Sequence, residues 1–183
     1  MEFILTFDNN VIKFVNEHMK SRAMDKIMRF VSALGNNGAL WLGIAFGLIL
    51  MGKDKRRIGT LMLFSLGLEA SVCNLVIKPA VARVRPNDAH GLEITIDRPT
   101  DYSFPSGHTA AAFAAAASMY MSKKKPGLWM FYIAIIMGFS RIYLLVHYPM
   151  DVIAGAALGV VSAITVNHIG NKKADKTHKK VKA

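Results

Sequence analysis

The sequence predicts an all-α protein: a polytopic membrane helix bundle with about five transmembrane spans and an N-terminal amphipathic helix at the membrane interface. Three observations predict this class. Of the 183 residues, 52% are hydrophobic, and the mean hydropathy is positive. Several apolar stretches approach the roughly 20 residues that an α-helix needs to cross a bilayer. The basic residues cluster directly after apolar stretches, where the cytoplasmic anchors of membrane helices lie.

The first twenty residues predict the interfacial helix. Apolar residues such as Phe3, Phe7 and Val11 alternate with polar residues such as Asp8 at the spacing of an amphipathic helix. We expect no cleavable signal peptide, because a basic start, a continuous apolar core and a small-residue cleavage site are all missing. Residues 1–20 are therefore predicted to lie along the membrane surface.

Five apolar stretches are the candidate spans. Four are good candidates by themselves, and they cover residues 58–77, 106–121, 128–146 and 152–169. The fifth, residues 39–51, is short. It reaches spanning length if it continues backward through residues 27–34 with a bend at the Gly-Asn-Asn-Gly segment 35–38. The spans and the interfacial helix predict a single membrane domain over residues 1–170.

The basic residues predict the topology. Residues 52–57, residues 123–125 and the C-terminal tail 171–183 hold thirteen of the 23 lysines and arginines. With five spans these segments all fall on one side, which the positive-inside rule assigns to the cytoplasm. We therefore expect a multi-pass plasma-membrane protein with a cytoplasmic C-terminus. The long loop 79–104 is then extracytoplasmic.

The formal net charge of +11 also raises nucleic acid as a possible partner. The basic clusters are not interleaved with aromatic residues, as the surfaces that bind single strands require. Membrane lipids are therefore the expected partner, and nucleic acid is not. Cys73 is the only cysteine, which excludes an internal disulfide and a cysteine-based metal site. The sequence gives no indication of the oligomeric state.

Two polar clusters flank the predicted extracytoplasmic loop. Lys78, Arg83 and Arg85-Pro86 follow one span, and they can either bind a multiply charged anion or reach the headgroup region as snorkelling cations. The tetrapeptide Pro-Ser-Gly-His at 105–108 begins the next span. Unpaired N–H groups and a glycine at a helix start can hold a phosphate group. An ordinary helix start with an interfacial histidine is the alternative.

A third polar cluster, Ser140-Arg141 with His147 and Asp151, lies at the same predicted surface. Asp151 follows His147 by one helical turn. Its carboxylate can therefore accept a hydrogen bond from one imidazole nitrogen and leave the other free as a nucleophile. Asp151 alone would equally suit the dipole of a helix start. Ionisable residues that converge on one membrane boundary from distant positions predict a functional site.

The three clusters resemble the signature of the type 2 phosphatidic acid phosphatase (PAP2) superfamily, which is Lys-x6-Arg-Pro, Pro-Ser-Gly-His and Ser-Arg-x5-His-x3-Asp. All eleven fixed identities occur in order and with the required spacings between Lys78 and Asp151. The resemblance implies a bacterial membrane lipid phosphatase, similar to undecaprenyl-diphosphate phosphatases, that works through a phosphohistidine intermediate.

The resemblance also implies a role for each site residue. His147 would attack phosphorus, Asp151 would orient His147, and His108 would protonate the leaving oxygen and later activate water. The residues that would hold the phosphoryl oxygens are Lys78, Arg85, Ser106, Gly107 and Arg141. We expect no metal and no cofactor, because the three basic side chains can supply the charge that a metal ion supplies in other phosphoryl-transfer sites.

Several alternatives remain open at this point. Undecaprenyl pyrophosphate is the first expected substrate by analogy. Phosphatidylglycerol phosphate, phosphatidate and lipid A phosphates are the others. An anion or lipid transporter is a distant alternative, because transport sites lie near the bilayer midplane. Haloperoxidases share the anion site, but the five predicted spans argue against one.

Glu69 lies inside a predicted span, with Asn74 nearby. An intramembrane carboxylate needs a partner. We expect a hydrogen bond to a neighbouring helix that fixes packing. A proton or headgroup contact is the functional alternative.

Overall fold

The computed structural model describes the backbone of residues 2–181, and the side chains of these residues except 54 and 173–181. Residues 182 and 183 of the predicted tail lie outside the described residues. All regular structure within residues 2–181 is helical, as predicted. The α-helices of this range are α1 (Glu2–Phe14), α2 (Arg22–Leu34), α3 (Ala39–Leu50), α4 (Lys53–Ser71), α5 (Lys78–Val81), α6 (Pro86–Ala89), α7 (Gly107–Ser122), α8 (Lys124–Tyr143) and α9 (Pro149–Val181).

Three helical stretches among the described residues are long and apolar enough to cross a membrane. The first, Lys55–Ala89, runs through α4, α5 and α6, and the other two, Lys124–Tyr143 and Pro149–Lys172, correspond to α8 and α9. The bent pair of α2 and α3 makes a fourth if it counts as one span. The remaining predicted span, residues 106–121, corresponds to α7. The 16 residues of α7 rise only about 24 Å, less than a hydrocarbon core of about 30 Å. Three spans, or four if the bent pair crosses as one, are thus supported, and the total of five stays a prediction.

The bend predicted at residues 35–38 is present. A short 3₁₀ turn, Asn36–Gly38, separates α2 from α3, and the two segments differ in direction by 46°. Asn37 and Gly38 have φ angles of 52° and 68°. Asparagine and glycine adopt this left-handed region more readily than other residues, so the local sequence favours a break here.

The centre of the bundle is α7, which packs against α4, α8 and α9. Seven of the 16 residues of α7 are alanines, and nearly all residues from Thr109 to Met119 are buried. A Cβ atom on Gly155 would lie 2.5 Å from the Ser106 carbonyl oxygen, and one on Gly159 would lie 2.2 Å from the Ala110 carbonyl oxygen. The backbones of α7 and α9 are therefore in direct contact, with their first residues side by side.

The N-terminal segment forms the predicted helix, α1, followed by a π-helical turn. Ile12 and Val15 pack into an apolar cluster with residues 143–146. Phe3 and the other large apolar side chains near the start of α1 are exposed, as an interfacial helix requires, and the location of α1 at the interface stays a prediction. Asp8 was predicted on the polar face, but the structure buries it completely.

Candidate active site

The three predicted polar clusters meet at one end of the bundle, where α5 and α8 end and α7 and α9 begin. The Ser106 N–H donates to the Asp151 carbonyl oxygen at 3.0 Å, which joins the second cluster to the third. Arg85 Nη1 lies 3.1 Å from His147 Nε2, which joins the first cluster to the third. Residues that are 62 and 68 positions apart in the chain thus come into contact in one site.

His147 is almost fully buried, and its neighbours define its protonation. Arginine only donates hydrogen bonds, so Arg85 faces an unprotonated Nε2, and the proton of the neutral ring is on Nδ1. Nδ1 faces Asp151 Oδ2 at 3.5 Å, longer than the predicted hydrogen bond, and it has no hydrogen-bond partner among the described residues. Burial lowers the pKa of His147 to about 3 although Asp151 opposes the shift. The ring is therefore neutral near pH 7.

Other donors hold the Asp151 carboxylate. Oδ2 accepts from the Ser103 hydroxyl at 2.5 Å and from the Tyr148 N–H at 2.9 Å. Oδ1 accepts from Arg83 Nη1 at 2.6 Å. With these contacts satisfied, the carboxylate is fixed beside the imidazole of His147, and it can attract a positive charge that develops there.

Lys78 and Arg85 share one carboxylate, that of Asp101. Lys78 Nζ donates to Asp101 Oδ2, and Arg85 Nη2 donates to Oδ1 at 2.6 Å. Burial works to raise the pKa of Asp101, but the hydrogen bonds and charges of Lys78 and Arg85 outweigh it and lower this pKa to about 2. Asp101 is therefore ionised at neutral pH. Its carboxylate therefore pairs with two of the cations predicted to bind phosphate.

Arg141, the third predicted cation, reaches the site from the last turn of α8. Its Nη1 donates to the hydroxyl of Ser32 on α2, and its Nε has no hydrogen-bond partner in the described part of the chain. The side chain is buried and lines the central cavity. A guanidinium with an unused donor is suited to bind an incoming anion.

The α2–α3 bend positions His108, the histidine at the start of α7. His108 Nε2 lies 3.1 Å from Asn36 Oδ1. A Cβ atom on Gly35 would lie 2.9 Å from His108 Cδ2, so the bend contacts the ring closely. Since an amide oxygen only accepts, Nε2 of His108 carries a proton in this arrangement. In this structure Nε2 of His147 therefore carries a lone pair, and Nε2 of His108 carries a proton.

A cavity of about 1300 Å³ connects these groups. Six of the predicted site residues line it: Lys78, Arg85, Gly107, His108, Arg141 and His147. Leucines 42, 63 and 66 of α3 and α4 line another part of the wall. The cavity therefore combines cations and histidines with apolar surface from two membrane helices.

The two other predicted site residues, Ser106 and Asp151, are fully buried and lie outside the cavity lining. The Ser106 hydroxyl accepts from Thr109 Oγ1 at 3.0 Å. Since its N–H is bonded to Asp151, Ser106 joins α7 to α9 in this structure. Its predicted contact with phosphate is not formed here and stays a prediction.

Glu69 differs from its expectation. Its Oε2 has no hydrogen-bond partner among the described residues, so the predicted hydrogen bond to a neighbouring helix is not present at this atom. The side chain is buried and lines the cavity. Among the side chains that the structure describes, no group of three or more His, Cys, Asp or Glu residues is arranged to hold a metal ion.

Sequence reasoning missed several residues that hold the site together. They are Asp8, Asn36, Arg83, Asp101 and Ser103. Asn36 was assigned only to a bend, Asp8 only to a helix face and Asp101 only to a loop. Arg83 was placed in the first polar cluster as a possible anion-binding cation, but its contact with Asp151 was not predicted. Ser103 and Asp101 lie just before the Pro-Ser-Gly-His segment, but nothing in the sequence distinguishes them from other loop residues.

The family model of the PAP2 superfamily matches residues 58–175, which include every position of the three-part signature. The chain belongs to the PAP2 superfamily. An undecaprenyl-diphosphatase of Sulfolobus acidocaldarius is 32% identical over 158 residues, which cover 84% of this PAP2 chain and 73% of that protein. Phosphatidylglycerophosphatase B of Bacillus subtilis is 29% identical over 161 residues, which cover 81% of this chain and 76% of that protein.

The fold also agrees with that of a solved PAP2 protein. The crystal structure of the transmembrane PAP2-type phosphatidylglycerolphosphate phosphatase from Bacillus subtilis superposes with a TM-score of 0.77 at 25% identity. The match covers 94% of this chain and 88% of that chain. This PAP2 protein is therefore a membrane-embedded phosphatase of lipid phosphates, and its cavity is the candidate active site.

Proposed function

We propose that this PAP2 protein removes the terminal phosphate of undecaprenyl pyrophosphate at the extracytoplasmic membrane face, through a phosphohistidine on His147 and without a metal. One observation carries the proposal. A single cavity joins His147 and His108, three basic side chains and the leucines of two membrane helices. The polar wall suits a phosphate group, and the apolar wall suits the tail of a lipid.

The first half of the proposed reaction follows from the protonation of the two histidines. Nε2 of His147 has a lone pair, so it attacks phosphorus while the bond to the leaving oxygen breaks. Asp151 stabilises the positive charge that develops on the ring. His108, which becomes an imidazolium protonated on both nitrogens beside the bound anionic substrate, gives one proton to the leaving oxygen, and undecaprenyl phosphate departs. The products of this half are phosphohistidine and His108 as a neutral imidazole.

In the second half, water attacks the phosphorus and gives its proton to His108. The nitrogen–phosphorus bond breaks, and inorganic phosphate leaves with His147 restored. Lys78, Arg85 and Arg141 hold the phosphoryl oxygens throughout, and their charges stabilise the transition state. Both histidines therefore return to their starting protonation after one turnover.

The orientation of the protein is part of the proposal. The basic segments 52–57 and 123–125 lie where α3 gives way to α4 and where α7 gives way to α8, at the end of the bundle opposite His147. Basic segments of this kind favour the cytoplasmic side. This arrangement supports an active site that faces away from the cytoplasm.

A phosphate-release assay tests substrate and metal independence together. Purified protein in detergent, with excess EDTA, is given undecaprenyl pyrophosphate, undecaprenyl phosphate, phosphatidylglycerol phosphate, phosphatidate and a lipid A phosphate. We expect the highest kcat/KM for undecaprenyl pyrophosphate, unchanged by EDTA, because the cations need no metal to bind a phosphoryl group.

The outcomes of this assay separate the parts of the proposal. Preference for phosphatidylglycerol phosphate would keep the mechanism and change the substrate, which the Bacillus subtilis relatives make the first alternative. Activity that EDTA abolishes and Mg²⁺ restores would contradict the metal-free mechanism. Folded protein without phosphatase activity on any of these lipids would overturn the proposed function.

Asp101 gives a prediction about anion binding. Asp101→Asn removes the carboxylate that competes with phosphate for Lys78 and Arg85. We expect inorganic phosphate, a product, to inhibit this variant at roughly tenfold lower concentration than the wild type. An electrostatic interaction strong enough to move a pKa by about one changes a binding constant about tenfold. The inhibition constant for phosphate is the measurement.

Glu93→Gln is the matched control, because it makes the same charge change on an exposed side chain of the same loop that does not line the cavity. It should leave the inhibition constant close to the wild-type value. Without phosphate, Asp101→Asn should also melt at a lower temperature, and added phosphate should restore much of the difference by binding the folded state. Equal inhibition of the Asp101 variant and the wild type would contradict the competition.

A further inference from the structure

A buried chain of charges connects the N-terminal helix to the candidate nucleophile. Asp8 on α1 is fully buried, and its Oδ2 accepts from Arg83 Nη2 at 2.6 Å. The other terminal nitrogen of the same guanidinium, Nη1, donates to Asp151 Oδ1 at 2.6 Å. Asp151 is also fully buried and lies beside His147. One arginine thus bridges a carboxylate 75 positions earlier in the chain and one 68 positions later.

Asp8 also contacts the helix that carries Asp151. Its Oδ1 accepts from the Met150 N–H, in the first turn of α9, at 3.0 Å. Arg83 lies over the ring of Tyr148, 3.9 Å from the ring centre. Both oxygens of Asp8 are therefore engaged, and both engage groups that are within a few residues of the nucleophile. The contacts leave little freedom for Arg83 or for the start of α9.

The charges of Asp8, Arg83 and Asp151 together set the net charge beside the His147 ring. Asp151 paired with Arg83 alone would form a neutral pair, which supports a developing imidazolium charge weakly. Asp8 offsets the charge of Arg83, so the three groups together keep a net negative charge next to the ring. Charge–charge interactions are strong where side chains are withdrawn from water. Asp8 thus preserves the electrostatic effect of Asp151 while fixing its position.

We propose that Asp8 and Arg83 are positioning residues for the reaction at His147, so that the N-terminal helix is part of the catalytic apparatus. The proposal rests on the proposed function, in which His147 is the nucleophile. Residue 8 lies outside the part of the chain that the family model matches, which begins at residue 58. The support for Asp151 therefore includes a side chain from outside the matched region.

A purely structural role for Asp8 predicts a different behaviour, and a second variant separates the two. Ile12 lies one helical turn after Asp8 on the buried face of α1, and its side chain packs in the apolar cluster. Ile12→Ala weakens the docking of α1 without changing a charge. Asp8→Asn removes the charge with little change in volume, and Asp8→Glu keeps the charge on a longer side chain.

The experiment measures kcat, KM and melting temperature for the wild type and these three variants with the best lipid of the substrate panel. We expect Asp8→Asn to lower kcat about 10- to 100-fold with little change in KM, the size of effect seen when outer partners of reactive groups are removed. Asp8→Glu should recover part of the loss. Ile12→Ala should lower the melting temperature and keep kcat near the wild-type value.

Two results would overturn the positioning role. One is an Asp8→Asn variant with wild-type kcat. The other is a loss of kcat in Asp8→Asn that Ile12→Ala reproduces at equal loss of stability, with no recovery in Asp8→Glu. A wild-type protein without phosphatase activity would instead overturn the proposed function, and this inference with it. If the wild type has phosphatase activity and Asp8→Asn has the same kcat, only this inference fails and the proposed function stands.

Discussion

His147→Ala should abolish turnover, with a decrease in kcat of about ten-thousandfold or more, the size found when a catalytic nucleophile is removed. The reason is that Nε2 of His147 is the protein atom that forms a bond to phosphorus in the proposed reaction. The first measurement is phosphate release from undecaprenyl pyrophosphate. The second is rapid quenching without acid after mixing with substrate that carries radioactive phosphorus in its terminal phosphate. The wild-type protein should become labelled, and the His147→Ala protein should not.

His147 is buried, so its loss also leaves space in the site. His147→Gln fills more of that space and should be equally inactive, which separates chemistry from packing. His90→Ala is the matched control, since His90 is an exposed histidine at the same end of the bundle, bonded to Asn9 of α1. That variant should stay active. A fully active and folded His147→Ala protein would contradict the nucleophilic role.

The second large effect is expected for Arg85. Its guanidinium contacts His147 Nε2 and the Val146 carbonyl oxygen through Nη1, and Asp101 through Nε and Nη2. Arg85→Lys keeps one charge but cannot make this planar set of contacts. We expect Arg85→Lys to lower kcat/KM about 100- to 1000-fold, the range for the loss of a donor that stabilises transition-state charge. Phosphate release at subsaturating lipid measures this.

Arg57→Lys is the control for that substitution. Arg57 donates to Asn171 at 2.6 Å near the other end of the bundle, so the same chemical change there should alter kcat/KM little. Arg85→Ala should lose at least as much activity as Arg85→Lys. Near wild-type kcat/KM in Arg85→Lys would mean that the forked contacts are dispensable and that charge alone suffices at this position.

Local sequence signals predicted the helices and the bend because those features depend on near neighbours. The α2–α3 bend follows from a Gly-Asn-Asn-Gly segment, and its glycine and asparagine have positive φ angles as such residues permit. The four-residue spacing of His147 and Asp151 likewise brings the two side chains together at the start of α9, although their separation of 3.5 Å is longer than the predicted hydrogen bond. Patterns of this kind can be recognised within a few neighbouring residues of the sequence.

Contacts between distant segments were not predictable in the same way. Asp8 reads as a polar-face residue of an amphipathic helix, yet it is buried against Arg83. Asp101 reads as one of several loop carboxylates, yet it pairs with two cations of the signature. The prediction of about five spans counted α7 by its apolar composition, but α7 is short and its alanines are buried by protein on several sides. Each of these facts depends on tertiary packing that leaves no local pattern.

The backbone contact between α7 and α9 has a consequence for how this chain can vary. The Ser106 carbonyl oxygen approaches Gly155 so closely that any side chain there would have to displace the start of α7, which carries Gly107 and His108, from the start of α9. The distance between His108 and His147 therefore depends on the lack of a side chain at Gly155, a residue that takes no part in the reaction. We expect the plain Gly- and Ala-rich interior to accept fewer substitutions than much of the polar loop that encloses the cavity.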